Sequence, residues 1–145
     1  MGATRIFFDG LCEPNPGGIA TYGFVIIKPG EKALEGGGPV PGSNTPQATN
    51  NVAEYTGVVR ALEKAVELKL TEQETEVCGD SKLVICQLRG EWRVRDKKLA
   101  PLYLAARSLA DQFERICFEW VPREENKDAD RLSYVAYVRE LAATR

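Results

Sequence analysis

Residues 21–28 are apolar on both faces of an extended chain. Tyr22, Phe24 and Ile26 fall on one side, Val25 and Ile27 on the other. A strand of this kind sits between two covering layers, because neither face can turn to water. The rest of the chain has to supply those layers.

The remaining pattern supplies helices and further strands. Residues 5–9 read as a short strand ending in Asp9, and residues 10–18 as a turn rich in Pro and Gly. Pro29 and Gly30 turn the chain again before an edge-like strand over residues 32–37, and residues 36–47 read as loop. Val52, Tyr55, Val59, Leu62 and Val66 recur at helical spacing, preceded by the cap-forming types Thr49, Asn50 and Asn51. Residues 75–79 form a strand followed by Asp80, and residues 81–88 a short helix. A basic connector over residues 89–98 leads to a helix with Leu99, Leu102, Tyr103, Ala106, Leu109, Ala110 and Phe113 on one side. Pro101 is tolerable there only in the first turn. Residues 116–121 form a strand stopped by Pro122, and a last helix runs from Asn126 to the end. The order β-β-β-α-β-α-α-β-α is an α/β plan, a hairpin sheet extended by strands with helical crossovers. With 145 residues and no linker, a single domain over residues 1–145 is expected.

Histidine is absent. That excludes Ser-His-Asp and Cys-His nucleophile systems, HExxH zinc sites and Cys₂His₂ fingers. Hydrolysis would need carboxylates, Lys, Tyr, Cys or a metal held by oxygen. The net charge of −2 does not advertise binding to nucleic acid through bulk positive charge. Cys12, Cys78, Cys86 and Cys117 include no CxxC pair, and the last three read as core. Residues 1–8 lack the features of a signal peptide, and no apolar run approaches the ~18 residues of a membrane span. A cytoplasmic protein with reduced thiols is expected.

Four acids stand where elements end or begin. Asp9 and Asp80 close strands, Glu54 sits in the first turn of the long helix, and Asp130 lies one turn into the last helix. In open α/β sheets, ligands collect at such places. Carboxylates gathered there repel one another unless a cation neutralises them, and Mg²⁺ or Mn²⁺ suits oxygen ligands. Taken singly, such an acid is more often a turn or helix cap than a ligand.

Local context carries a resemblance. Phe8-Asp9-Gly10-x-x-x-x-Asn15-Pro16-Gly17-Gly18 resembles the opening motif of type 1 ribonuclease H. Thr49-Asn50-Asn51-x-x-Glu54-Tyr55 resembles the second motif, and Gly79-Asp80-Ser81-x-Leu83-Val84 the third. Trp120-Val121-Pro122-Arg123-Glu124-Glu125-Asn126-x-x-x-Asp130-x-Leu132-Ser133 resembles the fourth, in the form of the compact archaeal-like branch. The resemblance implies a ribonuclease H-like fold, a five-stranded mixed sheet flanked by helices. It implies that Asp9, Glu54, Asp80 and Asp130 gather around two Mg²⁺ ions, with Mn²⁺ as a substitute and Asp9 as the bridge. The implied reaction is endonucleolytic hydrolysis of the RNA strand of RNA–DNA hybrids, giving 5′-phosphate and 3′-hydroxyl ends. Metal-assisted attack by water needs no side-chain nucleophile, so the missing histidine is no handicap.

By the same resemblance, Gly10, Cys12, Asn15 and Asn50 lie along the minor groove, and Glu54 accepts from a ribose 2′-hydroxyl. Thr49, Asn50 and Asn51 open the long helix, where free amides favour a DNA-strand phosphate. Helix capping is the plainer role for them. The basic stretch over residues 82–98 is the best phosphate stripe, with Trp92 stacking on sugar or base, or else folded onto the core. Two departures stand out. The connector leaves little room for the basic protrusion that many relatives carry. Arg123 stands near the place of a loop histidine and cannot shuttle a proton, though it can stabilise charge or draw off product. A monomer acting on hybrids, with no membrane contact, is expected. The competing readings are a nuclease for RNA–RNA duplexes or DNA junctions on the same fold, and a non-catalytic hybrid-binding module.

Overall fold

The computed structural model describes residues 2–144. Met1 and Arg145, the ends of the expected domain, lie outside the described residues. The doubly apolar segment becomes β2 (Ile19–Ile27), flanked by β1 (Thr4–Glu13) and β3 (Leu34–Pro39). Then follow α1 (Asn50–Glu67), β4 (Thr75–Gly79), α2 (Lys82–Leu88), α3 (Ala100–Ala110), β5 (Ile116–Trp120) and α4 (Lys127–Ala143). A single 3₁₀ turn, Arg123–Glu125, links β5 to α4.

The strand order is β3-β2-β1-β4-β5. β1 pairs antiparallel with β2, and β2 with β3. β1 pairs parallel with β4, and β4 with β5. This is the five-stranded mixed sheet expected from the sequence. Helix α1 packs on β1 and β2 from one side, with α3 behind it, and α4 packs on β1, β2 and β3 from the other. That is why β2 needed two apolar faces: Phe24, Val25 and Ile26 are all buried. Ile6, Phe8, Tyr55, Val58, Leu62, Val77 and Ile85 are fully buried on the α1 side of the molecule. Each such side chain contributes about 1.5–3 kcal/mol by leaving water.

Several boundaries and placements differ from the sequence reading. β3 starts at Leu34 rather than residue 32 and runs on to Pro39, into the segment read as loop, because residues 36–39 pair with residues 21–24 of β2. β1 does not stop at Asp9 but continues to Glu13, because residues 10–13 pair with residues 19–22 of β2. Asp9 is therefore a mid-strand residue, and the turn shrinks to residues 14–18. Glu54 is the fifth residue of α1 and so lies just beyond its first turn. α3 ends at Ala110, so Phe113 is buried from the loop that follows rather than from the helix. Cys78 and Cys86 are buried as expected, but Cys117 is exposed. It lies on the edge strand β5, whereas α4 packs over β1 to β3.

Candidate active site

Two glycines decide how closely the helices approach the sheet. A Cβ on Gly10 would lie 2.2 Å from the backbone nitrogen of Glu54. The second turn of α1 thus rests directly on β1, and no other residue fits at position 10. A Cβ on Gly23 would lie 2.6 Å from the Ala129 carbonyl and the Ser133 amide of α4. Gly23 pairs with Asp9 across β1 and β2, so the two residues share a face of the sheet. The close approach at Gly23 thus delivers the start of α4, with Asp130, beside Asp9. Asp80 arrives by register. Phe8 pairs with Gly79 in the parallel β1–β4 ladder, so Asp9 and Asp80 follow at the same level of adjacent strands.

Asp9, Glu54 and Asp80 offer carboxylate oxygens that all lie within 4.8 Å of one another. Asp9 and Glu54 are buried and Asp80 is half-buried. Asp130 lines the same cleft, with its side chain 45% exposed, but stands outside this tight trio. Its carboxylate faces the Arg123 guanidinium at 3.9 Å. The cleft has a volume of about 700 Å³ and opens between β1, the start of α1 and the ends of β4 and β5.

The electrostatics of the trio favour a bound cation or bound protons. Burial, with the charge of Asp80 and the Asp130 carboxyl beside it, pushes Asp9 up to about 7, against opposing hydrogen bonds from Glu54 and the Gly10 amide. Burial first, and then the charge of Asp9, lift Glu54 well above the ordinary carboxylate range. Asp80 is raised too, chiefly by burial, while the Asn126 amide and Arg123 pull it back. Glu54 Oε2 is buried without a hydrogen-bond partner. An unpaired buried carboxylate oxygen is costly in isolation. Here it points to a group that completes the site, and an oxygen-only donor set of clustered acids fits a hard divalent ion.

The other predicted residues divide into two sets. Gly10, Cys12, Asn15, Asn50, Asn51 and Arg123 line the cleft with the acids. Thr49 and Trp92 are not among its lining residues. The Thr49 hydroxyl accepts from the Val52 amide at 3.1 Å, which is the cap of α1. The Asn50 amide donates to Asn15 Oδ1 at 3.0 Å, and Asn50 Oδ1 accepts from the Cys12 amide at 2.8 Å. These bonds stitch the β1–β2 loop to the start of α1 and occupy amides expected to face substrate. Cys12 requires a correction. The residue is 2% exposed and its thiol is turned toward the Pro14 carbonyl at 3.4 Å, so the side chain is a small buried one although Cys12 borders the cleft. Trp92 lies on the connector between α2 and α3 and is 47% exposed, so it does not fold onto the core. That connector holds no additional helix, which accords with the absence of a protrusion.

Ser81, Trp120 and Asn126 stand in the motifs without an assigned role, and the structure gives each one. Ser81 caps α2 and borders the cleft beside Asp80. Trp120 forms a cleft wall, its indole N–H donating to the Asp80 carbonyl at 3.1 Å. Lys82 lies over the Trp120 ring, 5.5 Å from its centroid. Asn126, which the sequence places in the fourth motif and at the start of the last helix without a role of its own, donates to the Asp80 carboxylate. The signals for Trp120 were its place at the head of the fourth motif and a large aromatic at the end of an edge strand.

Comparison with known proteins places this geometry. Residues 7–136 match the family model described as reverse transcriptase-like. The chain is 52% identical over 87 residues to the bifunctional protein Rv2228c of Mycobacterium tuberculosis, covering 60% of this chain and 23% of that protein. The chain therefore spans about a quarter of the length of the mycobacterial relatives it matches. It is 36% identical over 132 residues to ribonuclease HI of Halobacterium salinarum, covering 91% of this chain and 63% of that one. Among solved structures, the N-terminal RNase H domain of rv2228c from Mycobacterium tuberculosis superposes with a TM-score of 0.84 at 39% identity, over 99% of this chain and 100% of that one. LC11-RNase H1, solved in complex with an RNA/DNA hybrid, gives a TM-score of 0.84 at 31% identity, over 95% and 99% of the two chains. With the motifs in register, the sheet order matched and all four motif acids lining one cleft, the chain belongs to the type 1 ribonuclease H family.

Proposed function

We propose that this chain is an endoribonuclease that hydrolyses the RNA strand of RNA–DNA hybrids in the Asp9–Glu54–Asp80 cleft. One observation carries the reading: three buried or half-buried acids from β1, α1 and the end of β4 converge within 4.8 Å, with a Glu54 oxygen left unpaired. A trio of that kind is costly without a cation, and the family to which the chain belongs cleaves RNA. The hybrid in the LC11-RNase H1 structure supports the substrate class.

Asp9, Glu54 and Asp80 would hold Mg²⁺ ions, with Asp130 at the open side of the cleft, and Mn²⁺ would substitute. Two such ions, when bound, supply the charge that makes a water nucleophilic and stabilises the departing 3′-oxygen, giving 5′-phosphate and 3′-hydroxyl ends. The chain's own residues do the rest. Asp9, on the paired strand β1, is the rigid centre of the site. The Gly10 amide steadies both Asp9 and Glu54. Gly10, Asn15, Asn50 and Asn51 present a polar floor along which the minor groove can lie, and Glu54 is placed to accept from a 2′-hydroxyl. Thr49, at the N-terminus of α1, supports a DNA-strand phosphate. Trp92 and the basic connector offer an exposed surface to the same strand. Arg123, 80% exposed and facing Asp130, is free to meet the product phosphate. Four free thiols suit a reducing compartment such as the cytoplasm, and a monomer is sufficient because one chain supplies every acid.

The test compares labelled RNA–DNA, RNA–RNA and DNA–DNA duplexes, with Mg²⁺ and with Mn²⁺. Cleavage of the RNA strand of the hybrid, lost in folded Asp9→Asn, is the expected result. Equal cleavage of RNA–RNA would move the substrate class, and hybrid binding without cleavage would make the chain a binding module. Full activity in Asp9→Asn would remove the site assignment.

A further inference from the structure

Asn126 stands at the N-cap position of α4, a place where its residue type ordinarily accepts from the helix's own amides. It makes no such bond. Its side-chain amide instead donates twice: to the Phe8 carbonyl at 2.9 Å and to Asp80 Oδ2 at 3.1 Å. The residue is 1% exposed, and its Oδ1 is buried with no partner. A side chain that forgoes its capping role and leaves one polar atom unpaired is committed to the two bonds that remain. Those bonds join the residue just before Asp9 to the carboxylate of Asp80, and so bridge the two strands that carry both acids.

The bridge answers a physical need. Asp80 sits in a bend just after β4, where no ladder fixes its side chain. The neighbouring charges of Asp9 and Asp130 would drive its carboxylate outward. Trp120 already holds the Asp80 carbonyl from the cleft side. We infer that Asn126 is a positioning residue, holding the Asp80 carboxylate against β1 beside Asp9 and thereby setting the affinity of the cleft for a divalent ion. This rests on the reading of the trio as a metal site.

The experiment measures Mg²⁺ binding to the substrate-free chain by isothermal titration calorimetry, in the parent, Asn126→Ala and Asn126→Leu. Leucine has nearly the outline of asparagine and keeps the packing while removing the donor. Hydrogen-bonded partners of metal ligands typically govern affinity by about 10–100-fold, and a loss of that size is expected in both variants. Melting in EDTA separates this from a general loss of fold. A lowered Tm with Mg²⁺ affinity within about 3-fold of the parent would overturn the inference and leave a structural role. Should both variants fail to fold, the parent labelled with ¹⁵N decides. The Asn126 side-chain amide resonances shift on titration with Mg²⁺ if the bridge exists, and unmoved resonances at saturation overturn it. If the parent itself binds no Mg²⁺, it is the metal-site reading that fails. If the parent binds and the variants bind equally, the inference about Asn126 fails alone.

Discussion

Replacing Asp9 by asparagine should make the metal-free protein more stable even as it removes activity. Asp9 is raised from 3.8 to about 7 in the folded chain. Between those values the folded state binds more protons than the unfolded state, so stability falls as pH rises through that window and stays low above it. A displacement of about 3 units corresponds to roughly 4 kcal/mol, which is a ceiling because Asp9 and Glu54 share their protons. Asn is isosteric, keeps an acceptor for the Gly10 amide and removes one charge from the trio. A gain of about 1–3 kcal/mol at pH 8 is expected, equivalent to roughly 3–9 °C in Tm for a chain of this size. The assay is thermal melting of parent and Asp9→Asn in EDTA at pH 8 and pH 5. The gap should narrow at pH 5, where the parent's Asp9 is protonated. Saturating Mg²⁺ at pH 8 should then raise the parent far more than the variant. A variant less stable than the parent at pH 8, or a gap that ignores pH, would refute the claim that the trio is held together against its own repulsion.

Other outcomes follow from single contacts. Gly23→Ala drives a methyl to within 2.6 Å of the α4 backbone and should cost about 1–3 kcal/mol in a urea melt while lowering hybrid cleavage, since Asp130 moves with α4. Thr49→Ala removes the cap of α1 and should cost about 1 kcal/mol by the same measurement; no change would show the cap to be dispensable. Arg123→Ala should lower kcat more than hybrid affinity in steady-state kinetics, because Arg123 is exposed beside Asp130 rather than buried against the duplex-facing floor. An unchanged kcat would discard a role for it in turnover.

The sequence by itself determined what depends on neighbours along the chain. The two apolar faces of β2 demanded a covered sheet, and helical spacing behind the cap-forming types Thr49, Asn50 and Asn51 announced α1, of which the structure makes Thr49 the cap. The absence of histidine excluded whole classes of hydrolytic mechanism, and the four motif acids, through their resemblance to type 1 ribonuclease H, implied oxygen-held metal. These are readings of period, capping and residue type, which act over a few residues. Tertiary structure decided what depends on approach across the fold. It made Asp9 a mid-strand residue, because residues 10–13 found partners in β2. It turned Gly10, read as a turn residue, and Gly23, read only as part of a strand, into the contacts that let α1 and α4 deliver Glu54 and Asp130. It left Asp130 at the rim of the trio, sent the Cys12 thiol inward and exposed Cys117 on the sheet edge. Most of all, it took Asn126 away from its helix cap and set it between Phe8 and Asp80. Their separations in sequence are 118 and 46 residues. No local pattern encodes such a bond; it exists only because β1 and β4 lie side by side beneath the start of α4.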